Sequence, residues 1–520
     1  MIKSLHERYR AATELHRHWR TVWEDCYDFA IPNRAGFLTH TPGDERMDRV
    51  FDETAIISTA EFASRMQLGL TPPFMHWLDF VPGAMVPPDQ RESLSKQLAG
   101  VKDVVFEAIN ESNFITQMYE AYLDLAVGTT VLLCEERDGR IHFSTLAQNA
   151  TYLERGPFDT IGGIFRHRIE KYRDIETVWP DGTISKDLRE KIEKQPNKDC
   201  KIVEANVRDY SNKATESWKH YVCIDEDMNK DDSVPLFEYE FTGPGAFPLI
   251  PARWSKAAGE VYGRGPLINA LPAIRTANTV IELTLDNAEM AITGMYQAAD
   301  DGVLNPDTVQ IVAGSIIPIA QNSRGLQPLG AAGDFNVANL ILEEQRANIK
   351  RALYDEMLGP VDKTPMSATE VVQRVSELQR RIGSPIGRLT YELLVPVIRR
   401  VAYILTENGT IRNMPLIDGR QVQAKPISPL ARQQQNEEVE NIAQYAMLIG
   451  QIFGPQMVNL MLDGEVASET LAKLRSVPPD IIRSRTDRKQ LTDAIRQMAQ
   501  EQNASPSKMM GRGPDQSARM

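Results

Sequence analysis

The chain has 520 residues, with 58 Lys and Arg against 71 Asp and Glu, and a formal net charge of −13. That length gives roughly two to four domains around a large core. A balance of 25% charged and 42% hydrophobic residues excludes whole-chain disorder. No apolar run approaches the ~18 residues of a membrane span, and the charged amphipathic N-terminus lacks a signal-peptide core, so a soluble, non-secreted protein is expected.

The four cysteines, Cys26, Cys134, Cys200 and Cys223, form no CxxC pair and have no histidine at zinc spacing. Free thiols are therefore expected rather than a disulfide scaffold or a zinc site. Net acidity argues against a simple nucleic-acid binder, though not against a wall that DNA passes without sticking.

Residues 1–30 read as a helix whose apolar stripe is Leu5, Tyr9, Ala12, Leu15, Trp19, Val22, Trp23 and Phe29. After a Pro/Gly loop, Asp52 is an N-cap for a helix that Gly69 and Pro72-Pro73 stop. Helices follow over about 89–112 and from Phe114 to Val127. From 129 to 250 the texture changes to short apolar runs between turn residues, beginning at Val131, Ile141, Ile164 and Leu236, which predict strands of an α+β region. Asp225–Asp232, with five acids and one lysine, reads as a solvated hairpin tip, with a metal loop the lesser alternative because the Gly and distal Glu spacing of such a loop is missing.

Helical spacing returns after 260. Ile274, Ala277, Ile281, Leu285, Ala288 and Ile292 share one face. A Gly/Pro-rich segment at 294–333 interrupts, and a second helix carries Val337, Ile341, Ile349, Leu353 and Met357 at spacings of four or a multiple of four. Glu343, Glu344, Arg346, Lys350, Arg351 and Asp355 are its expected outer charges, and Gly359-Pro360 its expected end. Ser367 and Glu370 have capping-box spacing at the head of a helical pattern reaching about Thr406. Forty residues span roughly 60 Å, with kinks expected at Gly383-Ser-Pro385 and at Pro396. Ser428-Pro429 starts another helix to about Gly450, shorter ones follow to 500, and 501–520 has the composition of a disordered tail.

The signatures of catalysis are missing: no GxxxxGK[ST], no GxGxxG after a strand, no HExxH and no GxSxG occur. Gly263-Arg264-Gly265 reads as a turn. His16 and His18, two apart on a helix, cannot share a face, and His142 and His167 read as structural. No catalytic residue, metal site or cofactor is expected.

Six motifs in order carry a resemblance. They are Asp52-Glu-Thr-Ala with Gly69-Leu-Thr-Pro-Pro73 and Trp77; Pro251-Ala-Arg-Trp254; Gly259-Glu-Val-Tyr-Gly-Arg-Gly-Pro266 with Leu271-Pro272 and Asn278; Ser367-Ala-Thr-Glu370 with Arg374; Glu392-Leu-Leu-Val-Pro396; and Ser428-Pro-Leu-Ala-Arg432. Over roughly 1–450 the chain resembles the portal proteins, or head-to-tail connectors, of short-tailed, T7-like bacteriophages.

The resemblance implies a mainly helical α+β fold assembled as a ring, usually of twelve subunits, around a central channel. Its parts would be a wing (1–265), a first stem helix (266–293), a clip (294–333), a second stem helix (334–358), a channel loop (359–366), a long wing helix with its following turn (367–427) and a crown (428–500). It further implies a non-enzymatic role at one capsid vertex of the virion, reached through assembly in the host cytoplasm. Double-stranded DNA would pass non-specifically in both directions. Terminase, then the tail adaptor and nozzle proteins, would dock there, and the major capsid protein, scaffolding protein and internal core proteins would be further partners.

On that basis Lys363, with Asp362 beside it, is expected to form a phosphate-facing ring in the channel. Glu343, Glu344, Lys350 and Arg351 either line the channel or pair between subunits. Gly302, Pro306, Gly314, Pro318 and Gly325 mark the clip that meets the motor and the tail adaptor. A basic stretch, Lys473–Lys489, falls in the crown. Two rival readings are a non-viral helical scaffold or adaptor and a phage hydrolase.

Overall fold

In the computed structural model helix α1 runs Ile2–Ala30. The structure describes residues 2–34, 49–211, 215–230, 233–293, 296–297, 327–328, 335–355, 383–412, 417, 421–427 and 429–474. They fall into two units, 1–84 with 101–430, and 85–100 with 431–520.

The expected stripe of α1 is buried at Leu5, Ala12, Trp23 and Phe29. In its middle the stripe passes through His16, not Leu15, which is exposed. His16 is enclosed by the rings of Trp23, Tyr152 and Tyr262, and its Nε2 bonds the Gln148 carbonyl at 3.0 Å. Helix α2, Thr54–Leu70, starts where expected, since the Asp52 carboxylate accepts the Thr54 N–H at 2.8 Å. Strand β1, Leu78–Pro82, was not expected; it pairs antiparallel with Val422–Pro426. Helices α3, Pro88–Glu111, and α4, Phe114–Val127, match the sequence spacing.

The predicted strands assemble into two antiparallel sheets. Strands β2 (Thr129–Arg137), β3 (Arg140–Thr145) and β9 (Leu249–Arg253) form one in the order β3-β2-β9. Strands β4 (Thr151–Arg155), β5 (Ile161–Lys171), β6 (Asp199–Asp209), β7 (Ser217–Ile224) and β8 (Phe237–Thr242) form the other in sequence order. Alternation gives the larger sheet two apolar faces. Phe165, Val203, Ala205 and Cys223 pack on Ile2, Leu5 and Ala12 of α1. On the opposite face Ile202, Val222 and Ile224 pack on Tyr172, on Ile175 and Trp179 in and beside the short α5 (Ile175–Val178), and on Leu188 of α6 (Lys186–Lys194). The described part of the acidic segment is a single tight turn, Asp225–Asp227, followed by Lys230 paired to Asp227 at 2.5 Å; residues 231 and 232 lie outside the described set.

Gly263 and Gly265 do more than turn. Two backbone segments cross there: Gly265 N–H reaches the Val127 carbonyl at 2.9 Å and Gly263 N–H reaches Thr129 Oγ1 at 2.8 Å. A Cβ at Gly265 would overlap the Ala126 carbonyl, and one at Gly128 (φ +147°) the Gly263 carbonyl. Only glycine allows so close an approach.

Helix α7 is Pro266–Thr293, the expected range. Two-residue strands β10 (Tyr296–Gln297) and β11 (Gln327–Pro328) pair antiparallel beyond it, and α8 returns over Phe335–Ala352. The second helix thus stops six residues short of the expected 358. The Tyr354 N–H bonds the Arg351 carbonyl and the Asp355 N–H the Lys350 carbonyl, with Tyr354 left-handed at φ 60°. That is a Schellman end with tyrosine where glycine is usual. Stacking of Tyr354 on Phe62 and its contact with Trp254 offset the strain.

Of the long helical pattern, α9 is described over 383–389. It passes through a π-turn, Thr390–Leu394, into α10, Val395–Glu407. The distortion sits where Pro396 predicts it. Proline offers no N–H to the Glu392 carbonyl, and the Val395 N–H bonds the Thr390 carbonyl five residues back. Strand β12 is Val422–Pro426. Helix α11, Pro429–Phe453, opens at the expected proline. In the second unit Gly454 (φ +89°) separates it from α12, Pro455–Met461, and α13, Gly464–Leu474, follows.

Candidate functional site

The α7–α8 hairpin is anchored at its base by a polar network that joins it to the start of α2. Asn278 Oδ1 accepts the backbone N–H groups of Phe51 and Asp52 at 2.7 and 3.0 Å, while its Nδ2 donates to the Ile274 carbonyl at 2.9 Å. The buried Asp52 carboxylate caps α2 with one oxygen and takes Arg346 Nε at 2.8 Å with the other. Burial pushes the Asp52 carboxyl up, but the hydrogen bonds from Thr54 and Arg346 outweigh it and hold the group below its usual range. A second anchor closes the end of α8: Asp355 accepts from Ser58 Oγ at 2.9 Å and from Arg65 Nη2 at 2.8 Å, and Arg65 Nη1 donates to the Tyr354 carbonyl at 2.6 Å. Arg275 of α7 also pairs with Asp25 of α1.

Two of the expected outer charges are therefore misassigned. Arg346 and Asp355 face neighbouring helices as anchors. Glu343, Glu344, Lys350 and Arg351 are exposed. Glu343 lies 3.8 Å from Arg346. Asp362, Lys363 and the five clip positions, Gly302, Pro306, Gly314, Pro318 and Gly325, lie outside the described residues, as do the capping pair Ser367/Glu370 and most of Lys473–Lys489.

The apolar stripe of α7 is only half used within the chain. Ile274 and Ala277 are fully buried, yet Leu285 is 54% and Ile292 85% exposed. At 3.6 residues per turn the outer side of this half carries Glu282, Asp286 and Glu289, all exposed. Leu285 and Ile292 flank that acidic stripe on one side, Leu283 and Met290 on the other. Across the hairpin Val337, Leu340 and Ile341 of α8 are exposed as well. A groove of about 470 Å³ lies at the foot of α7, lined by Asp25, Phe29, Arg49, Phe51, Arg275, Asn278, Thr279 and Glu282.

A further ion pair fixes the π-turn. Arg253 of β9 donates through Nη2 to Glu392 Oε1 at 2.8 Å and through Nε to Oε2 at 3.1 Å. Sequence reasoning found the motifs holding Asp52, Arg253, Asn278 and Glu392, but not the bonds among them. Partners more than a hundred residues apart leave no spacing signal.

These features describe an α+β protein with a braced helical hairpin that leaves apolar side chains of both helices exposed. The chain belongs to the bacteriophage head to tail connecting protein family, whose model matches residues 2–482. It is 22% identical over 553 residues to the portal protein of Salmonella phage epsilon15, covering 100% of this chain and 94% of that one. It is 22% identical over 433 residues to the portal protein of Enterobacteria phage T3, covering 78% and 75%. A chain in the neck of an empty gene transfer agent particle is similar at 12% identity and a TM-score of 0.38, covering 78% of this chain and 92% of that one.

Proposed function

We propose that this chain is the subunit of a phage portal, a ring at one capsid vertex through which double-stranded DNA is packaged and later released. Membership of the connector family supports the role. The observation that carries the ring is the half-used stripe of α7. One helix offers apolar flanks on both sides of an acidic edge, and two flanks ask for two neighbours, which a cyclic assembly of identical chains supplies. The acidic edge, Glu282, Asp286 and Glu289, then faces the lumen, where like charge keeps phosphate from binding.

In this reading 1–265 and 367–427 form the wing, α7 and α8 the stem, 294–333 the clip and 428–500 the crown. Terminase, then the tail adaptor and nozzle proteins, meet the clip. Capsid, scaffolding and core proteins meet the rest. Lys363, beside Asp362, is a basic ring that damps DNA sliding. Lys363→Ala should leave rings intact and change the length or retention of packaged DNA; unchanged packaging would remove that role. The first experiment is negative-stain electron microscopy of the purified chain, with and without scaffolding protein, together with mass measurement. Rings of about a dozen copies around a hole of ~20 Å or more support the reading, and a monodisperse monomer or dimer in both conditions rejects it.

A further inference from the structure

The tip of the β4–β5 hairpin holds an aromatic ring in water on a backbone that disfavours it. Phe158 is 97% exposed with φ 56° and ψ 32°, and Asp159 follows at φ 62°. Two successive left-handed residues make the turn that joins tight hairpins, a position that favours Asn-Gly and penalises a bulky first residue. Among the described residues no packing of the Phe158 ring offsets that penalty, because the ring is not buried.

The turn is nonetheless firmly held. Thr160 N–H and Oγ1 both bond the Pro157 carbonyl, at 3.2 and 2.7 Å, and Gly156 N–H bonds the Thr160 carbonyl at 2.8 Å. The Asp159 carboxylate is clasped by Arg155 at 2.8 Å and Lys256 at 3.1 Å, and Lys256 also reaches the Asp159 carbonyl at 3.2 Å. Behind the turn Gly156 and Gly162 pack so closely that a Cβ on either would meet the other's backbone. Strain that the surroundings over-determine in this way collects at clamps and binding points. An exposed aromatic on a firmly held turn is the kind of side chain that anchors a protein interface, since little backbone freedom remains to be lost on binding.

We infer that Phe158 is an interface anchor that inserts into an apolar pocket on a second copy of this chain. The ring reading and one observation select that occupant. A closed ring joins one patch to a different patch of the next copy, and a projecting knob suits such a contact. The base of the knob holds two cations, Arg155 and Lys256, around one carboxylate, Asp159, while the chain as a whole carries −13. The inference rests on the ring reading above.

The test uses the full chain after wild-type rings have been seen by electron microscopy. A photo-crosslinking benzoylphenylalanine at position 158 should join neighbouring copies, giving a covalent dimer with the linked peptide from this same chain. Phe158→Gly, which relieves the backbone, should leave the thermal midpoint of the dissociated chain unchanged or higher and raise the concentration at which rings fall apart at least tenfold. Rings with no copy-to-copy crosslink, or a crosslink to lipid or to a different protein alone, overturn the anchor while sparing the ring. A Phe158→Gly chain that loses thermal stability, or rings as tight as wild type, also overturn it. Failure of the wild-type chain to form rings removes both readings together.

Discussion

Arg253 and Glu392 lie 139 residues apart and meet through paired guanidinium–carboxylate bonds of 3.1 and 2.8 Å, and the same carboxylate accepts the Arg253 backbone N–H at 3.1 Å. The pair closes strand β9 onto the π-turn ahead of α10. Removing one member strands a nearly buried charge, so Glu392→Ala should cost about 3 kcal/mol and Glu392→Gln, which keeps the shape, about half as much. Urea denaturation followed by circular dichroism reads both; equal losses would mean that the ion pair is incidental to packing.

At the hairpin base Arg346 is more exposed than Asp52, so solvent weakens their bond. Arg346→Ala should cost about 1 kcal/mol. Asn278→Ala should cost about 2 kcal/mol, because it leaves the N–H groups of Phe51 and Asp52 without their acceptor. Urea midpoints of the two variants give the ranking, and the reverse order would place the main anchor on the ion pair.

Tyr354 separates two opposing effects at the end of α8. Substitution by glycine relieves the left-handed backbone but loses the stacking on Phe62; alanine loses the stacking and keeps the strain. Tyr354→Ala should therefore be the less stable variant by about 1 kcal/mol. Equal stability would show that the turn carries no strain.

Asp124 gives a pH signature. It accepts Tyr27 Oη at 2.9 Å and lies 3.3 Å from Arg34. Burial pushes its carboxyl up to about 6, against the pull of Arg34 and Tyr27. The folded chain thus holds this proton more tightly than the unfolded chain, so the contribution is full below about pH 4 and is lost as pH rises through 6. His16, lowered to about 4 by burial, works the other way: its contribution is full above its unfolded value near 6.5 and is lost as pH falls through 4. The readout is accordingly the difference between Asp124→Asn and the parent chain. Urea midpoints from pH 4 to 8 should show the variant gaining relative to the parent by about 2–3 kcal/mol as pH rises; parallel curves would contradict a raised carboxyl.

The ring reading is open to a direct test on the stem. Leu285→Lys with Ile292→Lys should leave the chain folded, since both side chains are exposed, while abolishing rings in the microscope. Intact rings would move the subunit contact elsewhere.

Much of the fold was legible because it rests on short-range pattern. Helix α7 and helix α4 fall at the spacing of their apolar residues, and the strands from Val131, Ile141, Ile164 and Leu236 follow short apolar runs set between turn residues. Other features depend on distant partners. Leu15 and His16 exchange places because His16 finds the Gln148 carbonyl, and β1 is a strand only because Val422–Pro426 lies beside it. The end of α8 was misread because Tyr354 takes a glycine position with the help of Phe62 and Trp254, which sequence spacing cannot register. Period alone places Arg346 and Asp355 on the outward charged face of α8, and it has no access to Asp52, Ser58 and Arg65, which hold them. For Glu343, Glu344, Lys350 and Arg351, exposure was legible but the surface they face is a property of an assembly.

The open half of the α7–α8 hairpin bears on how the chain behaves in a test tube. Leu285, Ile292 and Leu340 present greasy spots that stay in water on a single copy, Leu340 being 73% exposed. Concentrated stocks of unassembled chain should clump through these spots, at random and without closure. Slow expression, dilute purification and an early supply of assembly partners should then raise the yield of usable particles.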